Sequence, residues 1–278
     1  EGAEYLATTQ NTTDGETFKL KAYSFESVTV ANELNSINEE LNSINEELNK
    51  VSKKTIVSWG DSLTAGVGGG GTTYSNVLQT LLGENYQVLN AGVGGETTYT
   101  IAARQGGEPM CLKNEVTIPA TKTAVTVNLA NYLGKIISPL KQGGANSINP
   151  CHIDGIAGTL TQSNDVYSFT RSEEGESRTV NANTPIITNY MKTQRTPYAM
   201  IIWIGTNGQY DSTEDLINQY KKMISYSGNN NYVIIGMHYI TSTYTVDVRK
   251  EQEDAFRREF GTHFLNWREY LATHAIYD

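Results

Sequence analysis

Hydrophobic positions change their period several times along the 278-residue chain. From Val30 to Val51, residues Leu34, Ile37, Leu41, Ile44, Leu48 and Val51 recur at alternating steps of three and four, the spacing of a heptad seam. The unit ELNSINE occurs twice in tandem, at 33–39 and 40–46, and a third copy begins at Glu47. Leu at one seam position with Ile or Val at the other shifts preference from dimers toward trimers or tetramers. Asn, Ser and Glu fill the remaining faces with almost no Lys or Arg, so salt bridges between helices do not set partner choice. The pattern predicts a coiled-coil stalk over residues 30–52, about 30 Å for three heptads, that self-associates through 30–51 with a trimer favoured. The plainer alternative is a helix packed on its own domain.

Beyond the stalk the pattern alternates between strand and helix. Thr55, Ile56, Val57 and Trp59 form a short apolar run that stops at Gly60-Asp61-Ser62. Tyr74, Val77, Leu78, Leu81 and Leu82 then fall at helical spacing, and Gln87 to Asn90 reads as a second strand. The run from Tyr198 to Ile204 is continuously apolar, as in a strand covered on both faces. A helix follows with Ser212 or Thr213 as its cap and Leu216, Ile217, Tyr220, Met223 and Ile224 inward. A strand over 232–237, a charged helix over 247–260 and a short strand over 263–266 complete the series. Such alternation predicts an α/β fold with a parallel, doubly wound sheet, built from 53–103 and 196–278.

Two segments break that series. Residues 104–195 are rich in Thr, Asn, Gly and Ser, with alternating runs at 115–118, 124–127 and 166–169 and a candidate exit strand at 184–187. They predict a small all-β insertion. Residues 1–29 form an N-terminal extension in which Phe18 to Tyr23 alternates like an edge strand.

A net charge of -9 and a pI near 5.0 oppose non-specific nucleic-acid binding, which needs a basic face. No apolar run is long enough to span a bilayer, and no basic-plus-apolar leader opens the chain. Cys111 and Cys151 are far apart and outside any CxxC pair, which opposes a zinc or redox site. They form either a disulfide, the favoured reading with an extracellular or surface location, or two buried thiols. The glycines from Gly66 to Gly71 lead into Thr72-Thr73 without a lysine, so they do not make a phosphate-binding loop. Nothing calls for a metal or cofactor.

Candidate chemistry gathers at three strand ends: Gly60-Asp61-Ser62-Leu63, Asn90 to Thr97, and Gly205-Thr206-Asn207. Ligands in open α/β sheets bind at the carboxyl ends of strands, where Ser62 falls. The plainer reading makes Asp61 or Ser62 a helix cap. The second turn is made of small residues whose N–H groups suit an anion.

Together and in this order, the three blocks resemble the first three motif blocks of the SGNH/GDSL hydrolase family, ester hydrolases on a flavodoxin-like α/β/α sandwich. The resemblance implies that Ser62 is the nucleophile and that its own N–H joins the oxyanion hole. It implies that the Gly95 N–H and the Asn207 side-chain amide are the other donors, stabilising the charge that develops on an attacked carbonyl oxygen. Gly208 stands where the family usually has Asp. The family's base is a histidine three residues after an aspartate near the carboxyl terminus. Here His152, His238, His263 and His274 are preceded at that spacing by Asn149, Ile235, Phe260 and Leu271. His238 follows a strand near the expected site. The α/β portion is short for a complete domain of that family, so the expected base lies beyond Asp278 and this chain hydrolyses esters weakly or not at all. The function expected is a serine-dependent carboxylic ester hydrolase acting on a small-molecule or polysaccharide ester, with the insert shaping the site. The alternative is a non-catalytic stalked adhesion protein that uses the hydrolase fold as scaffold.

Overall fold

Helix α1 extends from Ser24 to Ser52, longer at its start than the heptad pattern alone requires. Val30, Leu34, Ile37, Leu41 and Ile44 are each more than half exposed, so among the described residues nothing covers this part of the predicted seam. The computed structural model describes residues 8–10, 17–19, 24–239 and 245–274. The rest of the Phe18–Tyr23 patch and the side chains of Leu48 and Val51 lie outside the described residues. Thr8–Gln10 and Thr17–Lys19 pair antiparallel. One compact unit ends at Lys53 and a second begins at Lys54.

The second unit starts with β1 (Lys54–Gly60), α2 (Ser62–Ala65), α3 (Tyr74–Leu82), β2 (Tyr86–Gly92) and α4 (Thr98–Gln105). After the inserted segment come β3 (Ala199–Trp203), α5 (Thr213–Ser227), β4 (Tyr232–Ile235), α6 (Val246–Phe260), β5 (Phe264–Leu265) and α7 (Trp267–Thr273). The five strands form one parallel sheet in the order β2-β1-β3-β4-β5. Ser212 caps α5 by accepting from the Asp215 N–H at 3.1 Å, which settles the choice between the two capping candidates.

The period-two alternation of the strands divides the sheet's two faces. Val57, Trp59, Met200, Ile202 and Ile234 point to one side, where Ile101 and Ala102 of α4, Leu216, Tyr220 and Met223 of α5, and Phe256 and Phe260 of α6 bury them. Tyr220 fixes this layer to the end of β3, because its hydroxyl donates to the Ile204 carbonyl at 3.0 Å and accepts from the Ile204 N–H at 3.2 Å. On the other side, α3 is the packed helix. Beside it Ile201, Trp203, Val233, Ile235, Leu265 and Trp267 line an apolar groove of about 480 Å³. Among the described residues of this unit, an open groove lies over this face of β3–β5 where a sandwich is expected to place its second helical layer.

The interruption is antiparallel, as its alternation predicts. A five-stranded sheet joins Ile186–Ile187, Cys151–Ile153, Ile156–Ser163, Val166–Arg171 and Val125–Val127 in that order, with two smaller two-stranded pairings beside it. It has its own core around Leu112, Ile118, Ile148, Leu160 and Phe169. Helix α4, which the sequence pattern does not reveal, belongs to both cores: Ile101 and Ala102 face the parallel sheet, while Tyr99 and Ala103 face the insert. All eight of its residues are buried, so it has no polar face to produce a helical period. Cys111 and Cys151 are separate buried thiols, which corrects the favoured disulfide and removes its support for an extracellular location. Burial pushes the Cys151 thiol up to about 12.

Phe256 is fully buried, with its ring packed on Tyr220, Phe260 and Phe264. Phe256→Ala should cost about 3–5 kcal/mol in a urea-unfolding experiment. Leu81→Ala, at a position 78% exposed, should stay within about 0.5 kcal/mol.

Candidate active site

Parallel pairing makes the first three strand ends coincide. Gly60 is level with Gly92 on one side and with Trp203 on the other. The turns that follow must therefore share one rim of the sheet, and hydrogen bonds tie them together. The Val93 N–H donates to Gly60 O at 3.1 Å, and the Thr98 N–H and hydroxyl both donate to Gly208 O at 3.1 and 2.8 Å. Asn207 Nδ2 donates to the Glu96 carbonyl at 2.9 Å. Ser62, Gly95 and Asn207 thus come to one rim. In the order β2-β1-β3, the chain turns outward in opposite directions after β1 and β3, which makes this rim the switch point where open α/β sheets bind ligands.

Ser62 is half-buried and is the first residue of α2. Asp61 caps that helix by accepting from the Leu63 N–H at 2.9 Å, so the capping role foreseen for the motif is real and falls on Asp61. Ser62 is left without a capping task. Among the described residues neither the Ser62 nor the Gly95 N–H has an acceptor. Gly95 has φ +76° at the third position of a turn closed by the Glu96 N–H on Val93 O. That left-handed conformation favours glycine. Asn207 spends one amide hydrogen on Glu96 and keeps the other.

Asp61 is 1% exposed. Burial raises its carboxyl above the ordinary range, against the lowering by the Leu63 N–H, the Thr206 hydroxyl and the charge of His238. Asp61 Oδ2 and Thr206 Oγ1 sit side by side without a formed hydrogen bond. His238 is exposed and stacks on Trp267 with ring centroids 6.0 Å apart. The other three histidines are engaged elsewhere: His152 with Lys192, His263 against Tyr232, and His274 against Tyr270.

Two groups at the site were not singled out by the sequence. Glu96 and Arg104 form an ion pair with both side chains 0% exposed. Arg104 Nε and Nη2 reach Glu96 Oε2 at 2.9 and 2.8 Å, Nη2 reaches Ala91 O at 2.7 Å, and Nη1 reaches Ser147 Oγ at 3.0 Å. The insert also reaches the site directly. Leu140 takes φ +62°, a left-handed conformation that is costly for leucine. The residues after it, Lys141 and Gln142, pack on the glycine turn so closely that a methyl at Gly94 would collide with Gln142. A Gly-Gly turn followed by an acid was visible in the sequence, but no local signal joins it to Arg104 or residues 138–144.

No metal-binding cluster of His, Cys, Asp and Glu occurs among the described residues, and none of their helices is long and apolar enough to cross a membrane. The chain matches no family model, no curated protein and no solved structure.

The raised Asp61 pKa gives a pH signature. The folded chain holds that proton more tightly than the unfolded chain, so the stability it contributes is complete below the ordinary value of 3.8 and is lost as pH rises through the raised value. Asp61→Asn keeps a capping acceptor and removes the titration. Its melting temperature should therefore gain on the wild type as pH rises from about 4 to 7. A gap that is constant or shrinks with pH contradicts the buried-carboxyl account.

Proposed function

We propose that the chain is a serine-dependent carboxylic ester hydrolase of the SGNH/GDSL type, built on a flavodoxin-like sheet. The observation that carries this reading is the convergence of Ser62 with uncommitted N–H donors from three different strand ends. An ester carbonyl placed there would meet the Ser62 hydroxyl. The developing oxyanion would meet the Ser62 and Gly95 N–H groups and the Asn207 amide. The strand order, which is that of flavodoxin-like doubly wound sheets, supports the fold assignment. The substrate class is a small-molecule or polysaccharide ester, and residues 138–144 of the insert form one wall of its site.

The base is the weakly supplied part. Among the described residues no imidazole is hydrogen-bonded to Ser62, and His238, which follows β4, is stacked on Trp267. Turnover by the 278-residue chain is accordingly expected to be slow. A second reading, a stalked binding protein with the α/β unit as scaffold, draws on this same feature and on the exposed α1 seam. In both readings α1 self-associates as a parallel coiled coil, with the trimer favoured by its Leu/Ile polarity.

Incubation with a fluorophosphonate probe followed by peptide mass spectrometry should place the adduct on Ser62, and Ser62→Ala should abolish it. Asn207→Ala should lower the labelling rate by about 10²–10³-fold. Labelling that persists in Ser62→Ala, or none even with imidazole added to stand in for the base, rejects the hydrolase and leaves the binding protein. For the stalk, sedimentation equilibrium at micromolar concentration should give a trimer mass. Leu41→Lys, which buries a charge in the seam, should return the chain to monomer.

A further inference from the structure

We propose that Glu96 and Arg104 are positioning residues that aim the Gly95 N–H and the Asn207 amide at one point beside Ser62, and that they fasten this aim to the inserted β-rich segment. The inference rests on the ester-hydrolase reading for the purpose of the donors; the positioning itself is a property of the fold.

Glu96 has three roles within one residue. Its amide closes the turn that carries Gly95, its carbonyl holds Asn207 Nδ2 at 2.9 Å, and its carboxylate is held by Arg104. A shift of Glu96 therefore moves two of the three donors together. Arg104 fixes it from several directions at once. Its guanidinium bonds the carboxylate, the Ala91 carbonyl at the end of β2 and the Ser147 hydroxyl, and lies 5.2 Å over the ring of Trp59 in β1. The chain reaches Gly60, Asp61 and Ser62 directly after Trp59.

The insert is coupled at both ends of this arrangement. Ser147, which accepts from Arg104, itself donates to Gly144 O at 2.7 Å, and Gly144 packs on Val93 of the donor turn. The Thr188 hydroxyl donates to the Arg104 carbonyl at 3.0 Å. A buried ion pair is a poor device for stability alone, because well-packed apolar side chains of similar volume often serve as well or better. What the planar guanidinium adds is direction: its fork fixes several acceptors in one plane, which neither an ammonium nor an apolar side chain can do. Directional control beside three aimed donors is a requirement of the site.

The test uses the whole 278-residue chain carrying Arg104→Met or Arg104→Lys, each in wild-type and Asn207→Ala backgrounds. Two readouts are taken: NMR of the Asn207 side-chain amide with hydrogen exchange at Glu96, and the rate of fluorophosphonate labelling at Ser62. Arg104→Met should shift the Asn207 amide resonances, speed exchange at Glu96, whose N–H closes the turn on Val93 O, and slow labelling about tenfold. In the Asn207→Ala background the same change should slow labelling by less than about threefold, since part of its effect runs through the missing amide. Arg104→Lys keeps the charge and should show the same pattern at smaller size, which supplies the result if Arg104→Met does not fold. An unmoved Asn207 amide with loss confined to melting temperature overturns the proposal, as does an equal loss in both backgrounds. If the wild type is not labelled at Ser62 while Arg104→Met or Arg104→Lys still moves the Asn207 amide, the positioning holds and the hydrolase reading falls. If labelling at Ser62 is normal in every Arg104 variant, the hydrolase reading holds and the positioning falls.

Discussion

A guanidinium that has left water must find acceptors, and Arg104 finds one of its acceptors in the carboxylate buried beside it; that constraint organises the centre of this protein. Burial pushes the Glu96 carboxyl above its ordinary range, and Arg104 opposes the shift. To satisfy Arg104, the end of β2, the donor turn and residue 147 of the insert must all approach one side chain. The pair is thus less a fastener between two elements than the reason several elements meet at fixed distances.

The parallel sheet supplies the second constraint. Because β1, β2 and β3 pair in register, they end together, and whatever follows each strand is delivered to the same rim. Ser62 and Asn207, nearly 150 positions apart in sequence, are brought to one rim by this pairing, and side-chain bonds such as Asn207 Nδ2 to Glu96 O tie the turns together. Asp61 then does the local work of starting α2, and this leaves the neighbouring serine free of a structural task.

The β-rich insertion is more than an ornament on an α/β frame. It enters and leaves beside α4, and that helix contributes to both cores. Residues 138–144 return to lie on the glycine turn, with Leu140 held in an unfavourable conformation as they do so.

The sequence by itself determined the elements whose stabilisation is local or strictly periodic. The runs that became β1 to β5, the amphipathic α3, α5 and α6, and the alternating runs of the insert reveal themselves through spacing, since at least one face of each meets a core; the heptads of α1 are equally periodic, although the described residues of their seam are exposed. That Ser62, Gly95 and Asn207 follow the ends of strands was legible because strand ends and small-residue turns are written in adjacent letters. Three features were decided only by tertiary structure. Helix α4 is buried on every side and so carries no period. Cys111 and Cys151 remain unbridged because pairing depends on where two distant strands lie. The Glu96–Arg104 pair was invisible because residues eight apart have no required relation until a sheet, a turn and an insert close around them, and only then does the cost of burying charge demand that they meet.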